Sequence, residues 1–264
     1  HAMLGAGLQR ALEYQDLAYG TEYLDRVAAL HQHSLACGGA THGHVATLEA
    51  ARWIAVAMSY DDVIRVAELK TRAERARRVR DEVGAGESEV VGTTEFFHPR
   101  MQEVYSLMPA GLARAIERTA PLRWLLEGRI GKGQRVRPHT LRGQLMLQAL
   151  ASLRRWRRRS QRHGVEMAHI AHWLDTVQAL MTADYHLATE LIRCRQLVKG
   201  YSDTHARGQA KFDKLLRAAT LLQGRPEAAA DLAALRAAAL ADPQGAQLAQ
   251  RWATLGLREA MSVD

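Results

Sequence analysis

Apolar side chains recur every three or four positions through most of this chain. Over residues 4–33, Leu8, Leu12, Ala18, Tyr19, Tyr23, Val27 and Leu30 fall on or near one stripe, which predicts a helix. The glycine-rich segment Ala36–His44 interrupts the pattern. Helical spacing resumes over 45–60 and again over Asp61–Val83, whose two leading aspartates suit an N-cap and the positive end of a helix dipole. A GAGES loop follows. Glu89–Phe97, EVVGTTEFF, is the one β-like stretch, rich in β-branched and aromatic residues, and its partner strand is sought outside the chain. Pro99, Pro109 and Pro121 each open a short helix. Gly128–His139 has no regular period and reads as a basic loop, and Pro138 leads into a helix through Arg162. Val165–Lys199 is the longest helical pattern. Thr204–Gln223 is another helix, and two Ala/Leu-rich helices, about 226–241 and 243–260, close the chain around Asp242-Pro243. The fold expected is all-α: an irregular helical bundle with a short β-like insertion near 89–97 and a C-terminal helical hairpin. Residues 4–223 are expected to form one helical domain, with the hairpin of 224–264 packed on it.

Composition agrees with helix over sheet. Aromatics make up 6% of the 264 residues, while Ala, Leu and Arg are abundant. No apolar run approaches the ~18 residues that span a bilayer. The amino terminus lacks the basic and apolar regions of a signal peptide, so none is expected. Two cysteines, Cys37 and Cys194, stand far apart in sequence, which suggests no disulfide framework and a reducing cytoplasm. With no CxxC pair, no GDG signature and no GxGxxG after a strand, the chain is not expected to hold an iron–sulfur cluster, thiamine diphosphate or a dinucleotide itself.

Charge changes the picture locally. Residues 120–163 hold 12 Lys/Arg and a single acid, Glu127, so the whole +8 excess of the chain sits in this segment. Such a segment predicts partners that carry phosphate or carboxylate. Within it, GRIGKGQRVR lacks the Gly-Lys-Ser/Thr ending of a nucleotide-hydrolysing phosphate loop. Arg154–Arg162, RRWRRRSQR, sets Trp156 among six arginines, a mixture nucleic-acid proteins use for stacking and phosphate contact. The simpler reading is a solvated helix face whose arginines meet an acidic protein surface.

The richest stretch in candidate chemistry is Leu197–Gly208, LVKGYSDTHARG. Gly200 breaks a helix, and Asp203 or Thr204 can start the next. Lys199, Tyr201, Asp203, His205 and Arg207 are brought within about one turn of each other. Lys199 and Arg207 suit a phosphate or carboxylate, His205 a general acid or base, and Tyr201 a substrate carbonyl. Helix capping with a polar hinge is the plainer alternative.

This segment resembles the VKGYGDTHxRG pattern near the carboxy terminus of indolepyruvate oxidoreductase subunits, members of the 2-oxoacid:ferredoxin oxidoreductases. Tyr14–Val27 (YQDLAYGTEYLDRV), Ala51–Arg72, Phe96–Val104 (FFHPRMQEV) and Thr140–Leu147 (TLRGQLML) resemble further segments of that family, in the same order, over about residues 8–217. Ser202 stands where the pattern has glycine. The resemblance implies a helical accessory region of an enzyme that oxidatively decarboxylates an arylpyruvate to an acyl-coenzyme A, with ferredoxin as acceptor. Thiamine diphosphate, magnesium and iron–sulfur clusters would belong to other domains or subunits, and no activity is expected of this region alone. In that setting the 199–208 turn either binds an anion near a neighbouring thiamine site or holds an interface, and Lys132, Arg135 and Arg137 suit the phosphates of coenzyme A. A nucleic-acid-binding module built on 120–163 and a self-contained helical enzyme built on His205 are the alternatives.

Two lesser clusters have plain explanations. His31, His33, Cys37, His42 and His44 are residue types that suit zinc, but their spacing is irregular and a surface loop explains them. Asp61-Asp62 beside Arg65 suits acid–base work, and helix capping accounts for the pair at lower cost.

Overall fold

The computed structural model describes residues 1–86, 89, 91–97, 101–108, 111, 115–116, 118–119, 124 and 134–257. The helix expected over 4–33 is two. Helix α1 (Ala2–Tyr14) ends at Gln15, and Asp16 starts α2 (Leu17–Ala36) by accepting the Tyr19 amide at 2.8 Å. An aspartate in extended backbone outweighs an uninterrupted apolar stripe, because it satisfies a donor the new helix leaves open. After α3 (Val45–Met58) come α4 (Val63–Lys70), α5 (Ala73–Glu82), β1 (Glu95–Phe97), α6 (Met101–Ser106), β2 (Gln134–Val136) and α7 (Leu141–Ser152). A 3₁₀ segment, Leu153–Arg159, precedes α8 (Gln161–Met181) and α9 (Tyr185–Cys194). A second 3₁₀ turn, Arg195–Leu197, leads to α10 (Asp203–Leu222), α11 (Ala228–Ala241) and α12 (Ala246–Thr254). The fold is all-α, and no helix among the described residues is long and apolar enough to cross a membrane.

Further sequence expectations are redrawn, and the helix expected over Asp61–Val83 is two, α4 and α5. The β-like stretch shortens to Glu95–Phe97, and its partner lies within the chain. It pairs antiparallel with Gln134–Val136, Phe96 facing Arg135, inside the segment read as an aperiodic loop. Three residues are too few to show a period of two. The helix expected from Pro138 to Arg162 gives way to 3₁₀ turns at Leu153 and restarts after Ser160. The pattern over Val165–Lys199 is broken by Asp184, which caps α9 by accepting from Leu187 N at 2.9 Å.

The chain divides into two compact units, residues 1–60 with 167–264, and residues 61–166. The division differs from the expected boundary at 223/224. The closing helices α11 and α12 pack on each other, and α11 also packs on α9 and α10. Leu232, Leu235 and Trp252 join the same core as Leu215 and Leu222, so the hairpin is part of the first unit. Periodicity shows that a helix has an apolar face but not which face it meets.

In the first unit, tyrosines tie the helices together. Tyr19 donates to Met58 O at 2.7 Å and Tyr23 to Ala51 O at 2.9 Å, which pins α2 to α3. Both rings are fully buried, and each buried hydroxyl has an acceptor. Gly7 on α1 leaves room for Tyr23, since a Cβ there would lie 2.2 Å from its hydroxyl.

In the second unit, α4 packs on α7 around Ala67, Val136 and Leu147. Asp62 caps α4 by accepting from Arg65 N at 2.6 Å, as its position predicts. The same carboxylate is held by Arg157 through Nε–Oδ2 at 2.8 Å and Nη2–Oδ1 at 3.2 Å, both side chains nearly inaccessible to solvent. One carboxylate therefore fixes the start of α4 and the 3₁₀ segment together.

Removing either partner of that pair leaves a buried charge without its counter-charge. Asp62→Ala or Arg157→Ala is expected to cost ~3–5 kcal/mol, and Asp62→Leu combined with Arg157→Met to recover most of the loss. Urea unfolding of the single and double variants checks this. Additive single losses in the double variant would show that the pair is not coupled.

Candidate functional site: the 195–208 turn and the basic hollows

The turn that carries the strongest sequence pattern is set by backbone geometry. After the 3₁₀ turn the chain reverses through Gly200 (φ +78°) and Ser202 (φ +55°), and α10 starts at Asp203. The positive φ at Ser202 lies where side chains are unfavourable, and glycine relieves it. Gly208 lets α10 approach the 3₁₀ turn, since a Cβ there would stand 2.3 Å from Leu197 O. The two glycines therefore have different jobs: Gly200 turns the chain, and Gly208 lets it pack.

The five polar side chains of this turn differ in burial. His205, 4% exposed, lies on the apolar stripe of α10 with Gly208, Phe212, Leu215 and Ala219. Lys199, Asp203 and Arg207 are exposed, and Tyr201 is half-buried. The helix turns His205 inward and its neighbours outward, because residues two apart on a helix point in different directions.

A cluster beside the turn escaped the sequence reading. Arg195, 1% exposed, lies over the rings of Trp173 and Phe212, with its guanidinium carbon 5.5 and 5.2 Å from their centres. It donates through Nη1 to His169 Nδ1 at 2.8 Å. Accepting at Nδ1 leaves the ring proton on Nε2, which faces Asp213 Oδ1 at 2.7 Å. The chain Arg195–His169–Asp213 runs from the interior to a half-exposed carboxylate and joins α8, the 3₁₀ turn and α10. Its members are 26 and 18 residues apart in sequence, so no spacing signals it. Nearby, Glu190 is buried between Arg193 and Arg236, and Arg193 also reaches Glu49 at 3.0 Å, a network across α3, α9 and α11. Burial first, and the Glu190 charge second, push the Cys194 thiol well above its ordinary value, so it stays protonated and inert.

The histidines proposed for zinc have structural partners. His33 Nε2 meets Gln178 O at 2.8 Å, His31 Nδ1 meets Thr47 Oγ1 at 3.1 Å, and His42 stacks on Tyr185 at 4.3 Å between ring centres. No group of three potential metal ligands is found among the described residues.

The described part of the anticipated basic loop, residues 134–139, is a strand and a turn. Arg135 lies on β2 with its guanidinium 5.5 Å from the Phe96 ring centre. Arg135, Arg137 and Arg142 line a hollow of about 530 Å³ together with Thr140 and Gly143. Thr140 caps α7 by accepting from Gly143 N at 3.2 Å. A Cβ at position 143 would stand 2.0 Å from Arg137 O, so glycine is what brings Arg137 against the helix start. Lys132, expected to act with these arginines, lies outside the described residues, as does His98-Pro99-Arg100. Trp156 is exposed, but the arginines around it do not share one face, since Arg157 is buried.

The backbone account makes two opposite forecasts. Ser202→Gly should stabilise the chain by about 1 kcal/mol through relief of the left-handed strain. Gly208→Ala should destabilise it by about 1–3 kcal/mol, because α10 must back away from Leu197. Thermal unfolding followed by circular dichroism separates them, and a neutral Gly208→Ala would mean the close approach is not needed.

No curated protein and no solved structure matches the chain. The model of a family of unknown function, DUF6537, matches residues 1–218, and the chain belongs to that family.

Proposed function

We propose that this chain is the helical accessory region of an indolepyruvate:ferredoxin oxidoreductase-like subunit, and that it docks neighbouring domains instead of carrying the chemistry. The observation that carries the reading is the split of the 199–208 turn. Its one general acid–base candidate, His205, is packed into the core stripe, while Lys199, Asp203 and Arg207 face outward. Residues from the other resembling segments also do architectural work: Tyr19 and Tyr23 pin helices, Asp62 caps and pairs, and Gly143 permits a close turn. A motif whose residues are spent on packing and whose charges face out suits an interface.

The parent reaction is oxidative decarboxylation of an arylpyruvate to an acyl-coenzyme A in the cytoplasm, with electrons passing to ferredoxin. In this reading its thiamine diphosphate, magnesium and iron–sulfur clusters belong to other domains or subunits. There is no CxxC pair, and no three-ligand cluster occurs among the described residues. No step is assigned to these groups in this chain. Arg135 and Arg137, with Arg142 beside them, offer a place for the phosphates of coenzyme A. The nucleic-acid reading loses support because Arg157 is spent on Asp62 and the arginine stripe is not one continuous face. An enzyme built on His205 loses support from the burial of that ring.

The test uses the intact parent complex. Lys199→Glu with Arg207→Glu should weaken subunit association about tenfold in sedimentation and lower arylpyruvate-driven dye reduction, with turnover recovering as subunit concentration is raised. Circular dichroism controls for folding. Unchanged association and turnover in the folded double variant would overturn the docking reading.

A further inference from the structure

A second hollow in the 61–166 unit, of about 430 Å³, has a different makeup from anything the sequence singled out. Lys70, Arg72, Arg75, Arg77 and Arg80 line it, with one carboxylate, Glu95. Lys70 and Arg75 both bond Glu95, and Arg72 is held by Glu68 at 2.9 Å. Burial pushes Glu95 upward, but the hydrogen bonds and charges of Lys70 and Arg75 outweigh it and hold the carboxyl below its usual range. Glu95 therefore stays ionised and orients two cations at the cleft. Arg80 is turned onto the carbonyls of Gly86 and Glu89. Arg77 has no acidic partner among the described residues and is exposed. Counting Glu68 and Glu95 against five cations leaves a surplus of positive charge in a concave, partly desolvated site, where potentials are focused.

Helix α5 is the second observation. It is 10 residues long and has no buried residue, and it carries Arg75, Arg77, Arg78 and Arg80 against Glu74, Asp81 and Glu82. A helix this short is marginal without packing, so contacts in the cleft beside it bear on its stability. The cations run from Arg72 to Arg80, about 12 Å at 1.5 Å per residue, which is longer than a single phosphate can bridge. Beside them Ala73, Ala76, Val79 and Val91 supply an apolar wall. A row of cations next to an apolar wall matches a molecule with linked phosphates and a flat apolar group.

We propose that this cleft binds a nucleoside diphosphate-type ligand, with the diphosphate among the cations that line it and the base against the Ala/Val wall. The site is independent of the oxidoreductase reading and of the Arg135–Arg142 hollow. Binding orders α5 by neutralising its arginines, so ligand occupancy and helix stability are coupled.

Titration calorimetry on the full 264-residue chain tests this, with ADP, inorganic diphosphate, inorganic phosphate and a single-stranded oligonucleotide as probes. ADP should bind, with diphosphate weaker and phosphate at least tenfold weaker still, and affinity should fall with salt. Arg77→Glu, at an exposed position, should lower ADP affinity at least tenfold without changing the circular dichroism spectrum, while Lys199→Ala should leave it unchanged. ADP should also slow amide exchange in residues 76–82. Four outcomes overturn the proposal: no ADP binding at millimolar concentration, an Arg77→Glu variant that binds as well as the parent, binding with no protection of α5, or an oligonucleotide that binds more tightly per phosphate. The last would make the cleft a nucleic-acid surface. None of these outcomes bears on subunit association, so failure here is distinct from failure of the docking reading.

Discussion

A buried guanidinium cannot shed its charge, so every one the fold encloses must be met by acceptors and counter-charge. This constraint organises both units of an arginine-rich chain. In the 61–166 unit Arg157 is met by Asp62, which is also the cap of α4, so burial of the arginine and initiation of the helix are one event. In the other unit Arg195 is met by His169 and by the faces of Trp173 and Phe212. Around Arg195 the packing is close, because α10 touches the 3₁₀ turn through Gly208. Among the described residues, the arginines that line the two hollows are ones a partner can reach.

The same logic separates what the 199–208 turn holds together from what it offers outward. Polar residues close in sequence are not a site until the backbone aims them at one point. Here the helix geometry of α10 sends His205 into the core stripe and Arg207 to solvent, and the strained φ of Ser202 is the cost of starting that helix so abruptly. Strain of this kind is retained where the surrounding packing over-determines the backbone. The close contact at Gly208 and the buried Arg195 provide that packing.

How much was legible in the sequence follows from the range of each interaction. Helix faces, the cap at Asp62 and the turn at Gly200 depend on neighbours within a few residues, and they were readable. The split between α1 and α2 was written in Asp16, but the continuous apolar stripe spoke louder. The β1–β2 pair and the division at residues 60 and 167 depend on partners far along the chain, and a three-residue strand has no pattern to show. Arg157 was read as one more member of a solvated run. Nothing in RRWRRRSQR marks which arginine turns inward, because that is decided by a carboxylate 95 residues away.

The candidate site shows the same limit from the other side. Arg135 and Arg137 were singled out for charge alone, and they do line a hollow, but the residue that makes it is Gly143, by letting Arg137 close on the start of α7. The second hollow was invisible because Glu95, the carboxylate that holds Lys70 and Arg75, comes from a strand 20 and more residues further along the chain. Glu68 takes Arg65 and Arg72, Glu95 comes from β1 to take Lys70 and Arg75, and α5 keeps Arg77 exposed. A helix this short with no buried residue has little packing of its own to hold it. An anion in the cleft is the partner its charges and its concave setting suit.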